Sequence, residues 1–493
     1  MLLSAALLLV RIASAAIVGQ PGYTDAYYYH DVARRLAAGG GLTADFVWSP
    51  LEAAPGTALP VPSHRFWMPL ATAVQALGIV VLPFLDTFRA SQALTIAVAA
   101  CIPLVTYAAA RSLGAGERTG LVAAAVAGLG GAFAPGWVSL DAFAPAAVLG
   151  TLFFLAYRRA AAGEPRAGAL AGLLVGLLFL ARGEGALFGL ALLALLRDPV
   201  SRRAGLIASG VALAIGLGWL ARDLAIGLPA GLFGRTAFLL RYEDFFAIRP
   251  PAPGAVLDNL PLFLGAKAGA LATNLAALIV AFFVLLVPAM ALAIRARAGR
   301  ADVRAFAGLL AVVYLAESLV WTLHSTRGSY FHSLAAFFPY GVALGVAGIG
   351  ALLDRRAWHR RAILVTALTG IAAVAAVSGT ALAQWDATFN AAYRARAAAL
   401  ERIPPGPFLA VDAAAWRWIS GRTVVVTPAD GPAAAACYAP ATGVRSIVLE
   451  PAHFRAYDAL YRGDGANASE TAGEGANAIR VYALAAPPRD CPR

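Results

Sequence analysis

The chain has 493 residues, 60% of them hydrophobic and only 13% charged, with a formal net charge of +12. A soluble globular protein carries roughly 25% charged residues, so this composition excludes one. The positive balance does not point to nucleic acid, because the basic residues sit in short connectors between long apolar runs, as in the cytoplasmic loops of membrane proteins.

A bilayer span takes about 20 apolar residues in a helix, and in lipid only helices and closed barrels satisfy their own backbone. The runs here are continuous and rich in Leu, Ala, Val and Gly, so helices are expected. In chain order they fall at about 1–18, 66–83, 91–110, 119–138, 142–158, 167–181, 184–196, 203–220, 270–294, 303–323, 332–352 and 361–383. Two long polar stretches, 19–65 and 221–269, interrupt them, and a polar tail follows from 385 to 493. Residues 1–18 end in Ala-Ser-Ala-Ala, like a signal-peptidase site. No basic segment precedes the run and Arg11 lies inside it, so an uncleaved first helix is expected.

The connectors set the orientation. Arg111 and Arg118; Arg158, Arg159 and Arg166; Arg197, Arg202 and Arg203; Arg295, Arg297, Arg300 and Arg304; and Arg355, Arg356, Arg360 and Arg361 all belong on the cytoplasmic side. Residues 136–141, 182–183, 221–269, 324–331 and the tail then fall outside. With loop 19–65 also outside, runs 66–83 and 91–110 make one crossing between them. Run 66–83 therefore reads as re-entrant or interfacial, and Pro69 and Pro83 suit a broken helix.

The expected fold is mainly α: a polytopic transmembrane bundle of about eleven spans plus that segment. Residues 1–384 form the membrane domain and 385–493 a small extracytoplasmic α/β domain. The N-terminus is cytoplasmic, and the membrane is the inner membrane of a bacterium. In the tail, FLAVDAAAW reads as strand then helix, RTVVVTP, RSIVLEP and IRVYAL as strands, and 463–477 as a loop. Cys101 reads as packing. An exported tail permits a disulfide between Cys437 and Cys491, which spacing alone leaves open.

The outward side carries the candidate chemistry. Asp25 follows the first helix in TDAYYYHDVARRLAAGGGLT, and His64 and Arg65 precede Pro69 in SHRFWMPL. Asp141 opens a later helix, Arg182 and Glu184 flank the turn between two short runs, Tyr242, Glu243 and Asp244 lie in the second long loop, and HSTRGSYFH holds Arg327 and Tyr330. Each has a plainer reading. Asp25 and Asp141 suit helix caps, Arg182 with Glu184 a buried structural pair, Arg327 a snorkelling side chain. Most of the tyrosines suit an interfacial aromatic belt, and Arg34 and Arg35 a solvated helix face. Together they form a set on one side: a carboxylate able to act as general base and arginines able to hold a phosphate. No glycine-rich nucleotide loop and no metal-ligand spacing is found.

These motifs, in this order, resemble the GT-C superfamily of membrane glycosyltransferases. The likeness is to the family 39 type, which includes protein O-mannosyltransferases and the aminoarabinose transferase acting on lipid A. It rests on the acidic first-loop motif, the basic-then-proline segment, SLDAFAPAAVLGTLFFLAYRR, the charged break in LLFLARGEGALFGLALL, and the Arg/Tyr loop HSTRGSYFHSLAAFFP. The small α/β tail also fits.

The resemblance implies inverting transfer of a sugar from a polyprenyl-phosphate donor to a lipid, glycan or protein acceptor. Asp25 matches the catalytic base and Asp141 a second site-shaping Asp. His64 or Arg65 matches the basic donor-phosphate contact, where the family often has Lys or His directly before paired prolines. Arg327 with Tyr330, Arg182 and Glu184 match further phosphate or sugar contacts, and Tyr242, Glu243 and Asp244 contacts to donor or acceptor. No metal is demanded, though Glu243 and Asp244 leave a divalent ion open. Other readings are a flippase or transporter of lipid-linked sugars, a saccharide polymerase or ligase, and a non-catalytic relative.

Overall fold

The computed structural model describes residues 2–53, 57–227, 236–355, 360–463 and 478–484. They fall into two compact units: one of Met1–Gly19, Trp67–Leu228 and Ala266–Asp386, the other of Gln20–Phe66, Pro229–Gly265 and Ala387–Arg493. Cys101 is a free thiol and Cys437 is disulfide-bonded. Cys491 and residues 464–477 of the expected tail loop lie outside the described residues.

The first unit is helical. Among the described residues, four helices are long and apolar enough to cross a membrane: Thr87–Ser112, Arg202–Ala225, Leu260–Ala281 and Arg361–Arg402. Shorter apolar helices include Leu3–Ile17, Leu70–Val81, Pro165–Ala181, Gly183–Leu195, Leu286–Ala296 and Phe338–Leu353. Leucine on lipid-facing surfaces gives helices no reason to associate, so close backbone contact has to do it. Gly168 and Gly172 provide that contact. A Cβ on either would overlap the carbonyl oxygen of Ala204 or Ala208 on helix Arg202–Ala225. The four-residue spacing on both sides makes a seam of small residues. Gly150 approaches the Ala336 carbonyl in the same way. Aromatic rings fill the wider gaps. Phe133 stacks on Phe331 at 4.4 Å and on Trp137 at 5.3 Å.

Three basic side chains meet one helix end in this unit. The Ser112 carbonyl accepts from Arg158 Nη1 at 3.1 Å and Arg300 Nη1 at 2.7 Å, and the Leu113 carbonyl from Arg297 Nε at 3.3 Å. A helix C-terminus leaves carbonyls unpaired and carries partial negative charge, so guanidinium groups answer both needs. Arg300 also pairs with buried Asp302 at 2.6 Å, which accepts the Tyr340 hydroxyl at 2.8 Å.

The second unit holds a five-stranded sheet. Its strands are β2 (Phe46–Val47), β4 (Phe408–Ala410), β5 (Val424–Val426), β6 (Ser446–Leu449) and β7 (Arg480–Ala483), in the order β2-β5-β4-β6-β7. The first four run parallel and β7 antiparallel. Strands β4, β5 and β6 are buried throughout, the continuous burial of parallel strands covered on both faces. Strand β2 comes from the first long loop, so residues 385–493 do not build this sheet alone. A separate ribbon pairs β1 (Thr43–Ala44) with β3 (Val61–Pro62). The second long loop joins the same unit: Ser49 Oγ donates to the Phe245 carbonyl at 2.6 Å, and Ala429 N–H to that of Phe246 at 2.9 Å.

The glycine seam makes a direct prediction. Gly172→Val drives methyl groups into the Ala208 backbone and is expected to cost about 1–3 kcal/mol or more. Gly210, on the same Arg202–Ala225 helix, has open space around its Cα, so Gly210→Ala serves as control. Thermal unfolding in detergent should show a lowered Tm for the first variant and none for the second. Equal Tm values would remove the seam from the account.

Candidate active site

The first unit gathers a polar cluster where helix Pro165–Ala181 breaks. Arg182 leaves the helix in extended backbone (φ −155°, ψ 138°), and a 3-10 turn, Gly183–Phe188, follows. Gly185 allows the fold-back, since a Cβ there would overlap the Leu178 carbonyl. Arg182 then reaches Ser329 Oγ at 2.9 Å, His332 Nδ1 at 3.0 Å and Glu184 Oε1 at 3.4 Å. Ser329 opens the short helix Ser329–Leu334 after Gly328, whose φ of 113° is left-handed.

Glu317 completes this cluster from helix Ala301–Leu319, and no surface of it is exposed. Its Oε1 accepts from Ser333 Oγ at 2.9 Å and lies 3.2 Å from Ser329 Oγ, which also lies 3.0 Å from Glu184 Oε1. A serine hydroxyl has one hydrogen, so Ser329 donates to one carboxylate at a time while it accepts from Arg182. Buried Asp141 accepts its own neighbour's amide, Ala142 N–H, and stands 3.3 Å from His332 Nδ1. That nitrogen accepts from Arg182 or donates to Asp141, according to its protonation. The histidine thus links two of the expected residues.

Arg327 is exposed on the same loop. Tyr330 is fully buried against Tyr314, rings 5.9 Å apart, and its hydroxyl has no hydrogen-bond partner among the described residues. Tyr330 is core packing. Sequence reasoning missed Glu317, Ser329 and Ser333. The signal available was a lone acid inside an apolar helix, which is expensive and usually functional.

The second unit holds Asp25, half-buried in the first turn of helix Thr24–Ala37. Unpaired amides and the helix dipole favour a carboxylate there. The residues that follow correct the aromatic-belt expectation: Tyr27, Tyr28 and Tyr29 are all buried. Tyr27 donates to Gln20 Oε1 at 2.5 Å, and Tyr28 donates to Glu52 at 3.0 Å while accepting His64 N–H at 2.6 Å. Arg35 departs from the solvated-face reading too, since it pairs with Asp45.

His64 and Arg65 separate clearly. His64 is buried, holds a left-handed φ of 58° and stacks on Tyr29 at 6.1 Å. A non-glycine residue keeps such a φ only when its surroundings fix it. Arg65 is half-buried and donates to the Glu52 carbonyl. In the second loop, Asp244 caps its own turn by accepting Leu240 N–H at 2.9 Å and Arg241 N–H at 2.8 Å. The Tyr242 ring packs on Phe245 and Phe246, each at 5.6 Å.

The fold has counterparts among solved structures. The chain matches ArnT from Cupriavidus metallidurans bound to undecaprenyl phosphate with a TM-score of 0.58 and 15% identity over 99% of both chains. It matches the archaeal oligosaccharyltransferase AglB from Archaeoglobus fulgidus, in complex with an inhibitory peptide and a dolichol-phosphate, with a TM-score of 0.55 and 14% identity. That match covers 90% of this chain and 69% of the other. No protein-family model and no curated protein matches the sequence. The chain shares the fold of these two proteins, at identities of 15% and 14%.

Asp31 yields a pH prediction. It is buried beside Arg417, 3.7 Å away, with Arg34, Arg35 and Asp45 nearby. Burial raises its pKa, against the pull of Arg417. The folded chain therefore keeps a proton that the unfolded chain loses above about pH 4. Its contribution to stability falls as pH rises through that window. Asp31→Asn should flatten the fall of Tm as pH rises above about 4; a slope matching the wild type would refute this.

Proposed function

We propose that this protein is a glycosyltransferase that moves a sugar from a polyprenyl-phosphate donor to an acceptor on the extracytoplasmic side. The observation that carries the reading is the fold likeness, over 99% of both chains, to a protein bound to undecaprenyl phosphate. Asp25 adds to it: it is a half-exposed carboxylate at the place the family resemblance gives to the base.

In this mechanism Asp25 takes the proton from an acceptor hydroxyl or amine as that atom attacks the anomeric carbon. The carbon–oxygen bond to the phosphate breaks on the opposite face, and polyprenyl phosphate leaves with the electron pair, inverting the centre. Leaving-group charge is what arginines stabilise best, through paired hydrogen bonds in a site shielded from water. Arg65, Arg182 and Arg327 are assigned that task. Arg65 is preferred to His64, whose ring is committed to Tyr29. Asp141 is assigned to hold His332, Glu184 to hold Arg182 directly, and Glu317 to hold it through Ser329. Asp244 is assigned to its turn, leaving Tyr242 and Glu243 as contacts for donor or acceptor.

The membrane arrangement is part of the proposal: a bacterial inner membrane, about eleven crossings, and a cytoplasmic N-terminus. Helix Leu70–Val81 has 12 residues, about 18 Å at 1.5 Å each, too short for a span and suited to a re-entrant segment. The arginines converging on Ser112 and Leu113 support a cytoplasmic end there. The disulfide-bonded Cys437 supports an exported tail.

The test uses purified protein in detergent with radiolabelled polyprenyl-phosphate sugars and candidate acceptors. Wild type should release polyprenyl phosphate, and Asp25→Asn should lower kcat by about 10²-fold or more. Arg65→Ala should raise the donor KM and lower kcat. Donor binding without turnover in any combination would overturn the reading and favour a carrier of lipid-linked sugars.

A further inference from the structure

In the tail sheet, neighbouring strands β4 and β6 send their connections in opposite directions. From β4 the chain passes through helix Ala413–Ser420 to β5 on one side, and from β6 it leads to β7 on the other. Open α/β sheets bind ligands at such a switch point, outside the carboxyl ends of the strands. Two acids emerge at those ends, Asp412 after β4 and Glu450 after β6.

The chain's own arginine occupies the crevice. Arg396, on helix Ala391–Ala399, bonds Glu450 through Nε at 2.9 Å and Nη2 at 2.8 Å, and its Nη1 lies 3.0 Å from Asp412 Oδ2. Trp416 Nε1 donates to Glu450 Oε1 at 2.5 Å. Arg396 is only 8% exposed, so both acids are neutralised and the crevice is closed to a ligand of its own. The other Asp412 oxygen accepts Ala415 N–H at 3.3 Å and the Thr24 hydroxyl at 3.1 Å. Thr24 is the residue before Asp25. Farther along the same first-loop helix, Tyr27 packs on Trp418 at 5.6 Å and Arg417 faces Asp31 at 3.7 Å. All of these residues belong to one compact unit.

We propose that the switch-point crevice of the tail sheet is a joint, in which Arg396 fixes Asp412, Asp412 fixes Thr24, and the tail thereby positions Asp25. Arg396, Asp412 and Thr24 are positioning residues. The inference rests on the reading of Asp25 as base, because the value of the joint lies in where it holds that carboxylate. Misplacing a reacting group by about 1 Å costs on the order of 10²-fold in rate, so loss of one hydrogen bond in this chain should act mainly on kcat.

The experiment compares the full-length protein with Thr24→Val, Thr24→Ser and Arg396→Met, by hydrogen–deuterium exchange over residues 24–31 and by steady-state transfer. Thr24→Val keeps the side-chain shape and removes only the hydroxyl, so it remains informative if Arg396→Met fails to fold. The expected result is exchange about fivefold faster or more in Thr24→Val, with kcat down about tenfold and donor KM within about twofold of wild type. Thr24→Ser should restore both. Wild-type exchange in Thr24→Val would overturn the joint. Faster exchange with unchanged kcat would overturn its positioning role. A wild type that transfers no sugar would instead sink Asp25 as base, and exchange alone would then decide the joint.

Discussion

A charge drawn out of water costs several kcal/mol unless it meets a partner in good geometry, and in a chain this apolar few partners are available. Several of the buried charges consequently come in small sets. Arg300 answers Asp302 and a helix end, Arg182 answers Glu184 and Ser329, and Arg396 answers Asp412 and Glu450. Each set ties together segments that are far apart in the chain. The helices and strands supply surface, and these ion sets decide which surfaces meet.

The three sets differ in what they leave unsatisfied. Arg396 uses all its nitrogens on two carboxylates in a closed knot, which suits a fixed structural point. Around Arg182 the accounts do not close. One serine hydrogen faces two carboxylates, and one histidine nitrogen faces both a guanidinium and an acid. Glu317 Oε2 is buried with no hydrogen-bond partner among the described residues. Groups with more than one arrangement of protons and bonds are what a site that must accept and release a charged substrate requires.

Much of the first unit is legible in the sequence because long apolar runs have one solution in lipid. The break at Arg182-Gly183-Glu184-Gly185 is legible for the same reason, since charge interrupts what would otherwise be a single hydrophobic stretch. Glu317 is hidden because its partners, Ser329 and Ser333, lie beyond the end of its helix and carry no charge to draw notice. The tyrosines after Asp25 mislead, because an aromatic cluster beside a membrane helix has the same composition whether it lines an interface or fills a core. Strand β2 has two residues, too few to show any periodicity. Its existence depends on β5, a contact no local pattern can announce.

That pairing of Phe46 and Val47 with Val424 and Val425 also fixes an order of events during synthesis. The first loop leaves the ribosome early, and the strand it must join appears only after nearly all the membrane helices have been made. Through that interval Tyr27 lacks Trp418 and β2 lacks its partner β5. Contacts so distant in sequence form late and leave intermediates prone to association. Truncation of the last hundred residues would then strand the N-terminal loop as well as delete a domain.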